Sequence, residues 1–333
     1  PPPPFPGTHS AILISPMAPL RRPSSAVVPL LLCALIVAAI IPASEAATAE
    51  DAALRLLQRN MARYEAELLE LVAIPSISAL PQHQPDVRRA ADWLVSRLTA
   101  AGFQNAEAMD TGAQPIVYGE WLQAGAGRPT VLIYAHYDVQ PADPLGLWDT
   151  PPFEPVLDAA AGQFVGRGVS DNKQGVLMAI HAVETLLQAG GGALPVNVKV
   201  LFEGQEEVQS PDLQAFMGAH AARFACDYAF NADGMQIGER QPGILLGMRG
   251  TTALEVELRT ATRDLHSGTH GGSIRNPNHA LAALVASLHS ADDAVAVEGF
   301  YEGVEAPSAE DKEDILAYPF DEAAEAAELG VTE

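Results

Sequence analysis

Three apolar runs that each end in a cluster of acidic or imidazole side chains limit this chain to a sheet with its chemistry gathered along one edge. They are Val131–Tyr134 running into Ala135-His-Tyr-Asp138, Val198–Phe202 running into Glu203-Gly-Gln-Glu-Glu207, and Tyr228–Phe230 running into Asn231-Ala-Asp233. Segments with helical apolar spacing separate them. Val176, Leu177, Ile180, Val183, Leu186 and Leu187 form one such stripe, and a second helix is expected around Gln214 to Ala222. Upstream, Leu54, Leu57, Met61, Tyr64, Leu68, Leu69 and Val72 predict a helix over Asp51 to Val72, and Val87 to Ala101 repeats the spacing behind an Asp86 cap. Ile116 to Trp121 adds a strand. Helices alternating with strands predict a three-layer α/β fold.

The ends of the strands carry the candidate chemistry. His136 and Asp138 are two apart on an extended chain and share a face, so Asp138 can support the imidazole from behind, the usual backing of a metal-ligating histidine. Asp171 lies in the glycine-punctuated turn Gly166-Arg-Gly-Val-Ser-Asp-Asn-Lys-Gln-Gly175, where an ordinary helix N-cap would also explain it. Glu206 and Glu207 would face opposite ways on a continuing strand, so serving one site requires the backbone to turn at Gly204. Adjacent carboxylates are costly unless a cation neutralises them or one keeps a proton. Asp233 ends the third run. The pattern predicts a metal hydrolase.

The segments AHYDVQP, LWDTPPFEP, GRGVSDNKQG, LFEGQEE and DLHSGTHGG together resemble the dinuclear zinc exopeptidases and amidases. That family includes carnosinase-like dipeptidases, aminoacylase, acetylornithine deacetylase and succinyl-diaminopimelate desuccinylase. The likeness spans about residues 51 to 333. It implies a zinc-exopeptidase-like catalytic domain with an inserted α+β lid and dimerisation domain. Carried over residue by residue, it implies His136 and Asp233 on one metal, Asp171 bridging two, Glu207 on the other, Glu206 as general base and a cis peptide after Asp171. His266 would bind substrate from the lid of a partner subunit, and Asn276 would contact substrate. Gln174 stands where the family usually has one residue fewer before the glycine. The implied cofactors are two divalent ions, zinc or else manganese or cobalt, about 3.5–4 Å apart. The implied reaction is hydrolysis of dipeptides or short peptides by a homodimer. Deacylation of N-acyl amino acids at the same site, or a non-catalytic metal- or peptide-binding module, are the alternatives. The family's last ligand histidine has no counterpart here, which marks the sequence as an N-terminal fragment. His83, His181, His220, His279 and His289 are expected on helix surfaces or loops, and His270 in a solvated loop.

Composition excludes one class of partner. The formal net charge is −23, a surface that repels phosphate backbones, so nucleic acid is not expected. Arg21-Arg22, the apolar run Ala26 to Ile41 and the small residues Ser44 and Ala46 predict a signal peptide over 17–46, with 1–16 untranslated and the product exported without a membrane anchor. Cys226 would then be unpaired and is expected to be a small buried hydrophobe. The expected domains are catalytic over 47–248 and lid over 249–333. In the latter, Thr251 to Leu258 alternates, and Asn276-Pro277 caps an apolar helix over Ala280 to Leu288.

Overall fold

A computed structural model of the chain describes residues 43–158, 162–234, 243–245, 247–248, 250–318 and 320–331. They fall into two compact units that divide after Met248.

The first unit begins with two helices, α1 (Ala43–Val72) and α2 (Gln84–Ala100). The apolar stripe predicts α1 well, but the helix starts eight residues before Asp51. In α2, Pro85 occupies the first turn, and Asp86 does not cap. Its carboxylate instead meets His83 Nδ1 at 2.8 Å. Three strands follow, β1 (Gln104–Met109), β2 (Ile116–Trp121) and β3 (Thr130–His136), then the small hairpin β4 (Val156–Asp158) and β5 (Gln163–Val165). Helix α3 (Gln174–Ala189) leads to β6 (Asn197–Glu203), and the short helices α4 (Leu213–Ala219) and α5 (Ala221–Phe224) lead to β7 (Tyr228–Asn231). The single helix expected around 214–222 is thus two, broken at His220.

The main sheet has the order β1-β2-β6-β3-β7. β6, β3 and β7 run parallel, while β2 pairs antiparallel with β6 and β1 antiparallel with β2. Every residue of β6 is buried, as a central strand covered on both faces requires. Alternation along β3 shows how the layers arise. Val131, Ile133 and Ala135 join a core with Leu71, Leu94, Leu98, Val176 and Ile180 from the three long helices. Leu132 and Tyr134 point the other way, to Leu201, Phe216 and Phe224 under the short helices. Strand β1 was not legible in Gln104-Asn-Ala-Glu-Ala-Met109, which has no apolar alternation and pairs only along one edge.

Two expectations about single residues change here. His181 is not on a helix surface but buried between helices, with its Nε2 2.6 Å from Glu67. Cys226 is exposed rather than buried.

Export also needs correction. The cleavage point expected after Ala46 lies within helix α1. Among the described residues no helix is long and apolar enough to cross a membrane. Residues 17–42 of the expected signal lie outside the described residues.

The second unit contains the short helix α6 (Ser267–His270), α7 (Pro277–Ala286), α8 (Ala309–Ala317) and α9 (Glu322–Leu329). Asn276 caps α7 by accepting from the Asn278 amide at 2.9 Å, as its sequence predicts. The alternating run 251–258 forms no strand with any described residue, because alternation supplies a face but not a partner for the backbone groups.

Candidate active site

The three parallel strands end side by side, the place where open α/β sheets hold their ligands. β3 ends on His136, β7 runs on to Asp233, and β6 runs through Gly204 into a tight turn over Glu206–Val208. That turn settles the problem of two adjacent glutamates. The helical turn replaces the strand's opposite-facing alternation, so that both carboxylates come within reach of the His136 imidazole, and Gln209 in the left-handed region (φ 71°) ends it. Gly204 is required for a different reason from the one expected. A Cβ there would lie 2.5 Å from the Tyr137 hydroxyl, so the glycine makes room for a buried ring.

His136 is fully buried, and its Nε2 faces a ring of carboxylates: Asp171 Oδ1 at 3.0 Å, Asp233 Oδ2 at 3.6 Å and Glu206 Oε2 at 3.8 Å. Potential ligand atoms of His136, Glu206 and Asp233 lie within 4.8 Å of one another, as do those of His136, Asp171 and Glu207. Asp171 does not cap α3. The peptide bond after it is cis, and its carboxylate is turned to the imidazole.

Asp138 does more than its spacing implied. His136 Nδ1 lies 3.1 Å from the Asp138 carbonyl oxygen and 3.3 Å from its Oδ1, and the two carboxylate oxygens accept the backbone amides of Glu206 and Glu207, each at 3.2 Å. One buried carboxylate thus orients the imidazole and the glutamate turn together. Gln140 was missed, although Tyr134, His136, Asp138 and Gln140 alternate and so share a side. Its amide donates to the Glu207 carboxylate at 2.9 Å and to the Glu207 carbonyl at 3.0 Å. Asn172 was missed too. It accepts from the His136 amide at 3.3 Å and donates to Asp233 Oδ1 at 3.2 Å.

Two of the motif's last three residues have packing roles. Gln174 is exposed and needs no close approach. Gly175 does, since a Cβ there would lie 2.4 Å from the Ala232 carbonyl oxygen. Lys173 is buried, and its ammonium donates to the carbonyls of Leu71 (3.0 Å) and Ile74 (2.6 Å) at the end of α1, with burial lowering its pKa to about 7.

The electrostatics describe a site short of positive charge. Burial opposes ionisation of His136, but the Asp138 hydrogen bond and the charges of Asp138, Asp233 and Glu206 overcome it and raise the pKa to about 9. Glu206 is pushed up by burial and by Asp233 and Glu207, against the pull of His136. Burial likewise raises Glu207 and Asp233, with Asp171 adding to both. One imidazole amid four carboxylates is a donor set that suits divalent cations. Of the remaining expected residues, His266 and Asn276 belong to the second unit. There His266 Nδ1 accepts from the Gly268 amide at 3.1 Å.

The profile of peptidase family M20/M25/M40 matches residues 132–327, well over half of the sequence. The chain belongs to that family. Among its M20 relatives, the Cys-Gly metallodipeptidase dug1 of Schizosaccharomyces pombe is 30% identical over 265 residues, 76% of this chain and 55% of that protein. The Beta-Ala-His dipeptidase of Homo sapiens is 34% identical over 252 residues, 71% of this chain and 49% of that protein. The crystal structure of an M20 family metallo-carboxypeptidase from Sulfolobus solfataricus superposes with a TM-score of 0.68 at 30% identity, covering 81% of this chain and 60% of that one. The chain spans about half the length of the curated relatives it matches. Likeness to the Cys-Gly metallodipeptidases of Schizosaccharomyces pombe and Saccharomyces cerevisiae also counts against the expected export.

Proposed function

We propose that this M20 chain carries the catalytic site of a metal-dependent dipeptidase, with the first unit as catalytic domain and the second as lid. The observation that carries the reading is the convergence of Asp171, Glu206 and Asp233 on His136 Nε2, with Glu207 beside Asp171. His136, Asp171, Glu207 and Asp233 are assigned as ligands. Held there, two divalent cations, zinc by preference and otherwise manganese or cobalt, would supply Lewis acidity to the peptide carbonyl and to water.

The protein's own groups handle the proton. Glu206 is 38% exposed at its side chain, against complete burial of His136, so it alone of the pair meets both solvent and cluster. It takes a proton from the attacking water and returns it to the departing amine, a role worth about 10²–10⁴-fold in rate. Asp138 holds the imidazole and the glutamate turn at a fixed separation, and Gln140 orients Glu207. His266 as a donor to the developing oxyanion, and Asn276 as a substrate contact, rest on the family resemblance, as does a homodimer formed through the lid. Dipeptides are the proposed substrates because relatives are named for Cys-Gly and β-Ala-His.

The test is hydrolysis of Cys-Gly and β-Ala-His by the full-length protein alongside two variants. Glu206→Gln is expected to retain metal by elemental analysis and lose turnover by about 10²-fold or more. His266→Ala is expected to lower turnover at constant metal content. Unchanged activity in Glu206→Gln would remove the general base from this scheme.

A further inference from the structure

A second buried carboxylate lies beside the first, and no step above uses it. Glu203, the last residue of β6, is 2% exposed and stands opposite His136 in the parallel β3/β6 register. No lysine or arginine pairs with it among the described residues, and the nearest positive charge acting on it is the His136 imidazole. Its carboxylate accepts the Tyr134 hydroxyl at 2.8 Å and also interacts with the Ser210 side chain. Burying an acid this way costs more than a well-packed apolar residue would, so packing alone does not account for it.

What lies between Glu203 and Ser210 gives the pair its meaning. The chain turns through Gly204–Gln209, carrying Glu206 and Glu207, and closes when the Ser210 amide donates to the Gln205 carbonyl at 2.9 Å. Gln209 and Ser210 both sit in the left-handed region, with φ of 71° and 49°. For non-glycine residues such conformations cost about 1–3 kcal/mol each and persist only where surroundings enforce them. Asp138 holds the front of this loop through the Glu206 and Glu207 amides. Glu203 holds its closing end. Tyr134, on the same side of β3 as His136, anchors Glu203 in turn.

We propose that Glu203, braced by Tyr134, is a positioning residue that fixes the 204–210 loop and thereby the Glu206 carboxylate. The inference rests on the reading of Glu206 as general base, and it touches neither substrate nor ligand set itself.

The experiment uses the full-length enzyme with β-Ala-His. Glu203→Ala is expected to lower kcat about 10²-fold with KM within about 2-fold, the size of loss a displacement of about 1 Å produces. Metal content should stay constant. Glu203→Gln, whose amide oxygen still accepts the Tyr134 hydroxyl, should recover kcat to within about 10-fold of the parent, and Tyr134→Phe should fall between. Amide hydrogen exchange on the same proteins should show faster exchange over 205–210 in Glu203→Ala, restored in Glu203→Gln, with α1 and β3 unchanged.

Unaltered kcat and exchange in Glu203→Ala overturn the proposal. So does loss of metal together with faster exchange throughout the sheet, which marks a purely structural residue. If Glu203→Ala does not fold, Tyr134→Phe with parental kcat and exchange overturns it alone. A parent enzyme that hydrolyses no dipeptide sinks the general-base reading, while the exchange data still decide whether Glu203 fixes the loop.

Discussion

At the scale of the residue, Asp138 shows how much one carboxylate can organise. Three groups converge on it, the His136 imidazole and the amides of Glu206 and Glu207, and an ionised carboxylate can accept all three. An asparagine has one accepting oxygen and must abandon at least one partner. Asp138→Asn is therefore expected to weaken metal binding about 10–100-fold, the usual cost of losing such support. Titration of the apo protein with Zn²⁺ against a competing chelator measures it, and parental affinity would mean that the contacts are incidental. The histidine and acids of the site were legible in sequence because chemistry restricts residue type. Gln140 and Tyr134 were not singled out, because an amide and a phenol carry no such restriction, although the strand's period of two had already placed them beside His136.

Between elements, the three long helices meet around a charged cluster that the sequence hid. Glu67 on α1 accepts from His181 on α3 (2.6 Å) and from Arg97 on α2 (2.6 Å). Glu184 on α3 joins Arg97 and Arg63, and Tyr64 stacks on the His181 ring at 3.8 Å. These residues looked like the polar flanks of separate amphipathic helices, and only packing brought the flanks together. Burial, with Arg97 adding to it, lowers the His181 pKa from 6.5 to about 4, against the opposing pull of Glu67 and Glu184. The folded protein thus refuses a proton that the unfolded chain accepts. Stability from this source is complete above about pH 6.5 and lost as pH falls toward about 4, and the loss of Glu67's favourable ionisation at lower pH acts in the same direction. The histidine's share between pH 7 and pH 5 is about 2 kcal/mol. Urea midpoints at the two pH values should show it, and His181→Gln should flatten the difference. An equal slope in the variant would assign the acid sensitivity elsewhere.

For the whole molecule, the two units differ in how they use their apolar residues. The first buries its leucines, isoleucines and valines on both faces of a sheet. The second leaves Phe300, Val304, Ile315 and Leu316 exposed, the last at 84%. Where such side chains form a contiguous patch they mark an interaction surface. The proposed homodimer is the occupant that the family resemblance implies. Sedimentation equilibrium on the full-length protein is expected to return twice the monomer mass, and Leu316→Glu with Val304→Glu should return the monomer. A monomeric parent would sink that part of the proposal.

The sequence by itself determined the α/β alternation, the strand ends that carry His136, Glu206, Glu207 and Asp233, the turn that carries Asp171, and the cap of α7. Each follows from a local rule of spacing or residue chemistry. It could not show that Glu206 and Glu207 both come within reach of the His136 imidazole, that Gly204 clears the Tyr137 ring, that His181 is buried, or that Asp138 holds the glutamate turn. Those outcomes depend on contacts between residues far apart in the chain, and only the packed sheet and helices decide which of them form.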